Sequence, residues 1–399
     1  MRLLVLSNTP FLPPSAGNRE RIGQMLDYFA ARGWDVGMLL LPDVDLAEWD
    51  QAGMRARLAC LELAAPPPSH DGSWLRRALR RLRDRESPAA GAPVGVDDWC
   101  PPWFRARAAE LVREWAPDVV MVEYVFLSAC LADLRRADGS APVTVIDAHD
   151  VMHLRRAAYA EAGMAPQWFH TGYEEERRGL ARADVVLAIQ EEDARIFARM
   201  LPDGLVLTVS HGRRVEASLA RPPGARLLFV ASHNDLNVAG LGWFLRAVWP
   251  ALRAAVPAVE LVVCGTISEK IRVVPPGVTL RGFVPSLAAE YAAARVVINP
   301  VRAGTGLKVK VAEALSHGRP VVSAGAAGVE AEGVLVVDDA PGFGAAVRRL
   351  LEDGGLWSAM VEQAVRAGRR FSPDGAFGPL VDRLLDACRP AGQPAHPDA

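Results

Sequence analysis

Short, unbroken apolar runs recur along this chain, and they constrain its fold more than any other feature. RLLVLS (2–7) and WDVGMLLL (34–41) open the series. PDVVMVEYV (117–125), PVTVIDAHD (142–150) and ADVVLAIQ (183–190) continue it. A strand with one wet face alternates apolar and polar residues. A run without alternation is covered on both faces, as in a parallel sheet flanked by helices. The intervening segments carry helical spacing, as in RERIGQMLDYFAARG (19–33), which closes on Gly33. This βα alternation predicts a doubly wound α/β domain.

The rhythm lapses over 209–225 and then restarts with RLLFVAS (226–232), VELVVCG (259–265), VTLRGFV (278–284), RVVINPV (295–301), RPVVSA (319–324) and GVLVVD (333–338). The expected organisation is therefore a Rossmann-like domain over 1–208, a linker over 209–225 and a second such domain over 226–370. A helix over 371–388 is expected to pack back on the first domain, with a disordered tail over 389–399. Residues 42–117 are less regular. Two domains of this kind face each other across a central cleft, which is the default ligand site.

Composition narrows the function classes. The 399 residues carry a net charge of −2, which gives no general argument for nucleic acid. Cys60, Cys100, Cys130, Cys264 and Cys388 show no metal-binding spacing and read as reduced thiols. The apolar start MRLLVLSNTPF meets prolines too early for a secretory signal. No apolar run approaches the roughly 20 residues of a spanning helix. A cytoplasmic protein is expected, with any membrane contact peripheral.

The stretch VRAGTGLKVKVAEALSHGRPVV (301–322) carries the clearest chemistry. A strand runs through a glycine loop into a helix expected from about Leu307 to Ser316, stopped by Gly318. Ligands of open α/β sheets bind beyond the carboxyl ends of strands, where helix N-termini present free N–H groups and positive partial charge. Gly304 and Gly306 let the backbone approach a ligand closely. Lys308 and Lys310 oppose the dipole of a free helix by about 0.3–1 kcal/mol. A bound diphosphate reverses that sign, since charge-assisted contacts contribute roughly 1.5–3 kcal/mol each. The plainer reading leaves both lysines in solvent.

GTGLKVKVAEALSHGRPVV resembles the donor-site segment of family 4-type retaining glycosyltransferases with the GT-B fold. SNTPFLPPSAGNRERIGQMLDYFAARGWDV resembles their N-terminal glycine loop and first helix, and VIDAHDVMHLRR their segment with an active-site histidine. RADVVLAIQEEDARIF and FVASHNDLNVAGLGWFLRAVWPALRAAVPAVELVVCG follow in the same order. The likeness covers most of 1–350 and is weakest over 42–110. It implies that Glu313 holds the nucleotide ribose and that Gly304, Thr305, Gly306 and Leu307 meet the diphosphate. It further implies that Phe283 and Val284 meet the base through main-chain groups, although Phe283 also reads as plain core. Gly17, Asn18 and Arg19 would form the glycine loop near the reacting phosphates. Arg19 would face a donor phosphate or an acidic acceptor, or else solvent. The resemblance places His149 beside the transferred sugar, whereas the residues alone also allow a satisfied core histidine.

This chain departs from the family in three positions. The first acid of the usual E-x7-E pair is replaced by Thr305. The Arg and Lys expected after the first strand of the second domain align with Ser232 and Asn237. Lys308 and Lys310, helped by Arg302, are left to supply the positive charge and are assigned a catalytic role with His149. His149 and His153 stand four apart, a metal spacing if both lie on one helix. No third ligand apart from Asp150 is evident, and no metal or other cofactor is assigned.

Residues 74–86 carry six arginines. They read first as a solvated charged helix and second as a peripheral contact with the inner face of a membrane, suited to a lipid-linked acceptor. EEERRGLARAD (174–184) reads as an exposed, ion-paired helix end without chemistry. The function expected is transfer of a sugar from a nucleotide diphosphate sugar to an acceptor hydroxyl on a glycan, lipid-linked or small molecule. A nucleotide-sugar epimerase and a non-catalytic nucleotide-sugar binder remain alternatives.

Overall fold

The computed structural model describes residues 1–42, 49–66, 95–161, 170–212, 217–302, 309–325 and 332–388. The chain divides into two units, Met1–Ser210 with the C-terminal segment from Ala376, and His211–Gly375. Each is built on one parallel sheet.

The first sheet holds β1 (Arg2–Ser7), β2 (Asp35–Leu40), β3 (Cys60–Leu63), β4 (Val119–Glu123), β5 (Val143–Asp147), β6 (Val185–Ala188) and β7 (Leu205–Thr208). Their order is β3-β2-β1-β4-β5-β6-β7. The unbroken apolar runs serve two cores at once. Leu4, Leu6, Val120, Val122 and Ile146 pack on one face, and Leu3, Val5, Val119, Met121 and Val145 on the other. The strand order reverses between β1 and β4, so the loops leaving these two strands diverge and open a crevice at their carboxyl ends.

Helix Pro373–Ala387 brings the chain back to this unit. Phe377, Leu380 and Leu384 are fully buried with Leu3, Val5 and Phe29. Burying each such side chain contributes about 1.5–3 kcal/mol, so this helix is part of the first unit's core.

The second sheet holds β8 (Ala225–Val230), β9 (Val259–Cys264), β10 (Val278–Gly282), β11 (Val296–Asn299), β12 (Val321–Ser323) and β13 (Val334–Val336). Their order is β10-β9-β8-β11-β12-β13. Leu227, Phe229, Leu261 and Ile298 face one core, and Leu228, Val262, Val297 and Val321 the other. The order reverses between β8 and β11. The helix after β8 starts at Asp235, capped by the Asn234 side chain, which accepts from the Asn237 N–H at 2.9 Å. It runs on through a widened turn at Phe244–Val248 into Trp249–Ala255. That turn lies directly before Pro250, which has no N–H to donate and whose ring crowds the preceding turn.

Among the described residues, no helix is long and apolar enough to cross a membrane. The arginine-rich stretch 74–86 lies outside the described residues.

Candidate active site

In the first unit the crevice is lined by charge. Glu123 ends β4, Asp147 ends β5, and the two are register partners, so two carboxylates stand side by side. Both are fully buried. Arg21, from helix Gly17–Ala31, is also fully buried and grips Asp147 with both arms, Nε to Oδ2 at 2.8 Å and Nη2 to Oδ1 at 2.9 Å. Its Nη1 donates to the Ser210 carbonyl at 2.8 Å. The pair ties the first helix, the end of β5 and the end of the unit's N-terminal segment together.

His149 follows two residues beyond Asp147. Its φ of 59° is left-handed, unusual for a residue with a Cβ, and costs of order 1 kcal/mol or more. That conformation turns the ring back over the strand ends. Its Nε2 lies 2.5 Å from Glu123 Oε2 and 3.7 Å from Asp147 Oδ2. The ring stacks on Tyr124 with centroids 4.2 Å apart, and the residue is only 5% exposed. Burial opposes a charged ring, but Asp147 and Glu123 outweigh it and raise the His149 pKa. Burial likewise raises Glu123. For Asp147 burial is overcome by Arg21, which holds the carboxyl below its usual range.

The glycine loop joins this cluster. Gly17 opens the first helix, and Asn18 Nδ2 donates to Tyr124 Oη at 3.0 Å. Asn18 therefore reaches His149 through the tyrosine. Arg19 is half-buried, and among the described residues its guanidinium has no ion-pair partner.

The condition attached to the histidine spacing fails here, and one expectation is corrected. His149 and His153 do not share a helix, because helix Met152–Glu161 begins after His149. Their spacing carries no metal logic. The glutamate-rich segment is also more than an exposed end, because Glu176 is fully buried. It accepts from the Met152 and His153 N–H groups at 2.7 and 2.9 Å and meets His153 Nδ1 at 2.6 Å. Its neighbours Glu174 and Arg177 do form the expected exposed pair.

Glu123, Asp147 and His149 could in principle ligate a metal, since one donor atom from each lies within 4.8 Å of the others. Arg21 already occupies both Asp147 oxygens and supplies the positive charge. The three donors are thus already part of an ion network with Arg21.

A further buried carboxyl lies nearby. Asp193, at the start of helix Glu191–Met200, is 3% exposed. Burial pushes its pKa up to about 7, partly offset by the Gln190 amide 3.0 Å away.

In the second unit the crevice holds Lys310. Its Nζ donates to Asn237 Oδ1 at 2.7 Å and lies 5.4 Å from the centre of the Phe229 ring. Asn237 Nδ2 donates in turn to the Ser232 carbonyl at 3.0 Å. The two positions where cations were expected are thus joined to a lysine reaching across from helix Val309–Ser316. Gly240 lets helix Asp235–Trp243 pack closely on the exit of β11: a Cβ there would stand 2.8 Å from the Pro300 carbonyl oxygen.

Glu313 lies one turn beyond Lys310 and is half-buried. Phe283 is 72% exposed, which overturns the core reading. β10 ends at Gly282, whose φ of 66° turns the chain outward, and Val284 beside it is half-buried. Arg302 is exposed and lies over the Trp243 ring at 5.5 Å. Gly304, Thr305, Gly306, Leu307 and Lys308 lie outside the described residues.

Arg21, Glu123, Asp147 and Tyr124 were not singled out from the sequence. Their signal was an acid closing an otherwise apolar run, in VVMVE and VTVID, where a buried charge requires a partner.

Comparisons with known proteins place these crevices in context. Residues 224–353 match the sequence model of the family described as glycosyl transferases group 1. No curated protein sequence matches the chain. Sucrose-phosphate synthase from Thermosynechococcus elongatus superposes with a TM-score of 0.66 at 17% identity, over 97% of this chain and 100% of that one. HepE from Anabaena, in complex with UDP and glucose, gives 0.62 at 14% identity over the same shares. The lipopolysaccharide outer core galactosyltransferase WaaB in its apo form gives 0.59 at 13%, again over 97% and 100%. The sequence match falls on the unit that holds Lys310 and the fold match runs end to end, so the chain has the GT-B fold and its second unit is a group 1 glycosyl transferase domain.

Proposed function

We propose that this protein transfers a sugar from a nucleoside diphosphate sugar to an acceptor hydroxyl, with retention of anomeric configuration. The observation that carries this reading is the Lys310–Asn237 pair in the crevice of the second sheet. It sets a cation over the strand ends in a domain whose family is glycosyl transferases group 1. In this reading Lys310 and the first turn of its helix stabilise the departing diphosphate, with Lys308 and the Gly304–Leu307 backbone beside them. Glu313 holds the ribose, and the main chain at Phe283 and Val284 meets the base. The exposure of Phe283 supports a role at a ligand.

The first unit takes the sugar and acceptor. His149 donates to the sugar, and Gly17, Asn18 and Arg19 border the phosphates. Glu123 and Asp147 are committed to His149 and Arg21, so neither is assigned as a nucleophile. Attack on the same face as the leaving diphosphate is the mechanism proposed. The reaction assigns no metal. UDP is the first nucleotide to examine, since HepE is described in complex with it.

A thermal-shift panel of UDP-, GDP- and ADP-sugars tests the reading. One donor should raise the melting temperature and then be consumed only with an acceptor present. Acceptor-free epimerisation would indicate an isomerase, and binding without turnover a non-catalytic binder.

A further inference from the structure

Glu123, Asp147, Arg21 and His149 form one buried charge group. Arg21 and Asp147 cancel, because their bidentate contact at 2.8 and 2.9 Å keeps both ionised. A net charge in a site this buried is expensive, so Glu123 and His149 must also sum to zero. Two arrangements achieve this along the 2.5 Å line between Nε2 and Oε2: an imidazolium facing a carboxylate, or a neutral ring accepting from a carboxylic acid. In both, the ring's other nitrogen, Nδ1, carries a hydrogen. A third neutral arrangement puts the acid proton on Glu123 Oε1. That atom is buried and has no hydrogen-bond partner among the described residues, so a hydroxyl there would have nothing to donate to.

We propose that Glu123 is a positioning residue that fixes His149 as a permanent hydrogen-bond donor through Nδ1–H. Among the described residues Nδ1 has no partner of its own, which leaves this N–H for a ligand oxygen. The groups facing the ring are Glu123 from β4, Asp147 from β5, Arg21 from the first helix and the stacked Tyr124. Such a histidine binds a hydroxyl or phosphate oxygen and is unsuited to accept a proton from an acceptor alcohol. The proposal deepens the transfer reading and rests on it for the identity of the ligand. The proton placement itself is a property of the free protein.

The test uses nitrogen-15 NMR of the full chain labelled at its eight histidines, with His149 assigned by comparison with His149→Gln. Nδ1 of His149 should remain protonated from pH 6 to 8.5 in the wild-type protein. In Glu123→Ala the ring should lose its fixed proton, and its Nδ1 signal should become pH-dependent across this range. An unprotonated Nδ1 in the wild-type protein at pH 7.5 would overturn the proposal, whatever the variant does. A Glu123→Ala ring that keeps the wild-type Nδ1 signal throughout would also overturn it. Neither outcome depends on sugar transfer, so failure here is distinct from failure of the functional reading.

Discussion

Replacing Asp147 by Asn would strand a guanidinium. Arg21 is fully buried, and Asp147 is its only carboxylate partner among the described residues. The substitution keeps the side-chain shape but removes the charge and places an NH2 against the guanidinium. Breaking a buried pair on one side costs about 3–5 kcal/mol, a large fraction of the roughly 5–15 kcal/mol that holds a typical domain. Hydrogen exchange followed by mass spectrometry reads this within one unit. Peptides covering β4 and β5 should exchange about 10²–10⁴-fold faster where opening is global. The double variant Arg21→Met, Asp147→Leu should recover much of the loss, because an apolar pair leaves no charge behind. Acceleration under about tenfold in Asp147→Asn would refute the account of the ion pair. The pH dependence has a definite sign. Arg21 holds the Asp147 pKa below its unfolded value of about 3.9, so its contribution is complete above that value and is lost as pH falls through the lower folded pKa.

Two further outcomes are expected. Asp193 has a raised pKa, so its ionisation disfavours the fold increasingly as pH rises from about 3.9 to about 7. Asp193→Asn should therefore be more stable than wild type at pH 8 and lose that advantage below pH 4, as melting temperatures across this range would show. Glu176→Ala removes the acceptor for two backbone N–H groups and His153. It should destabilise the first unit by about 2–4 kcal/mol, detectable as faster exchange at the start of helix Met152–Glu161.

The sheets were legible because their strands are apolar on both faces. Runs such as RLLVLS and VELVVC became β1 and β9 nearly residue for residue. Short, less apolar strands were missed, among them CLEL (β3) and LVLT (β7), which have too few residues to show a period and lie at or near the sheet's edges. The site was legible in part. Lys310 stood out because a lysine in a first helical turn is misplaced without an anion. Its meeting with Asn237 was hidden because the two lie 73 residues apart and join only through the β8–β11 neighbourhood. The His149 cluster was hidden for a similar reason: Arg21 and Asp147 are 126 residues apart, and only the packed sheet brings them together. Phe283 was ambiguous because an aromatic at the end of an apolar run reads as core until the turn at Gly282 is known.

The central claim is that Lys310 supplies the positive charge that this chain lacks at Ser232 and Asn237. Calorimetric titration of wild type and Lys310→Ala with UDP and GDP tests it most directly. The account predicts that the nucleotide bound by wild type loses about 1.5–3 kcal/mol in the variant, a roughly 10- to 150-fold rise in Kd, with the melting temperature of the free protein nearly unchanged. Equal affinity in both proteins would contradict it and remove Lys310 from the diphosphate site.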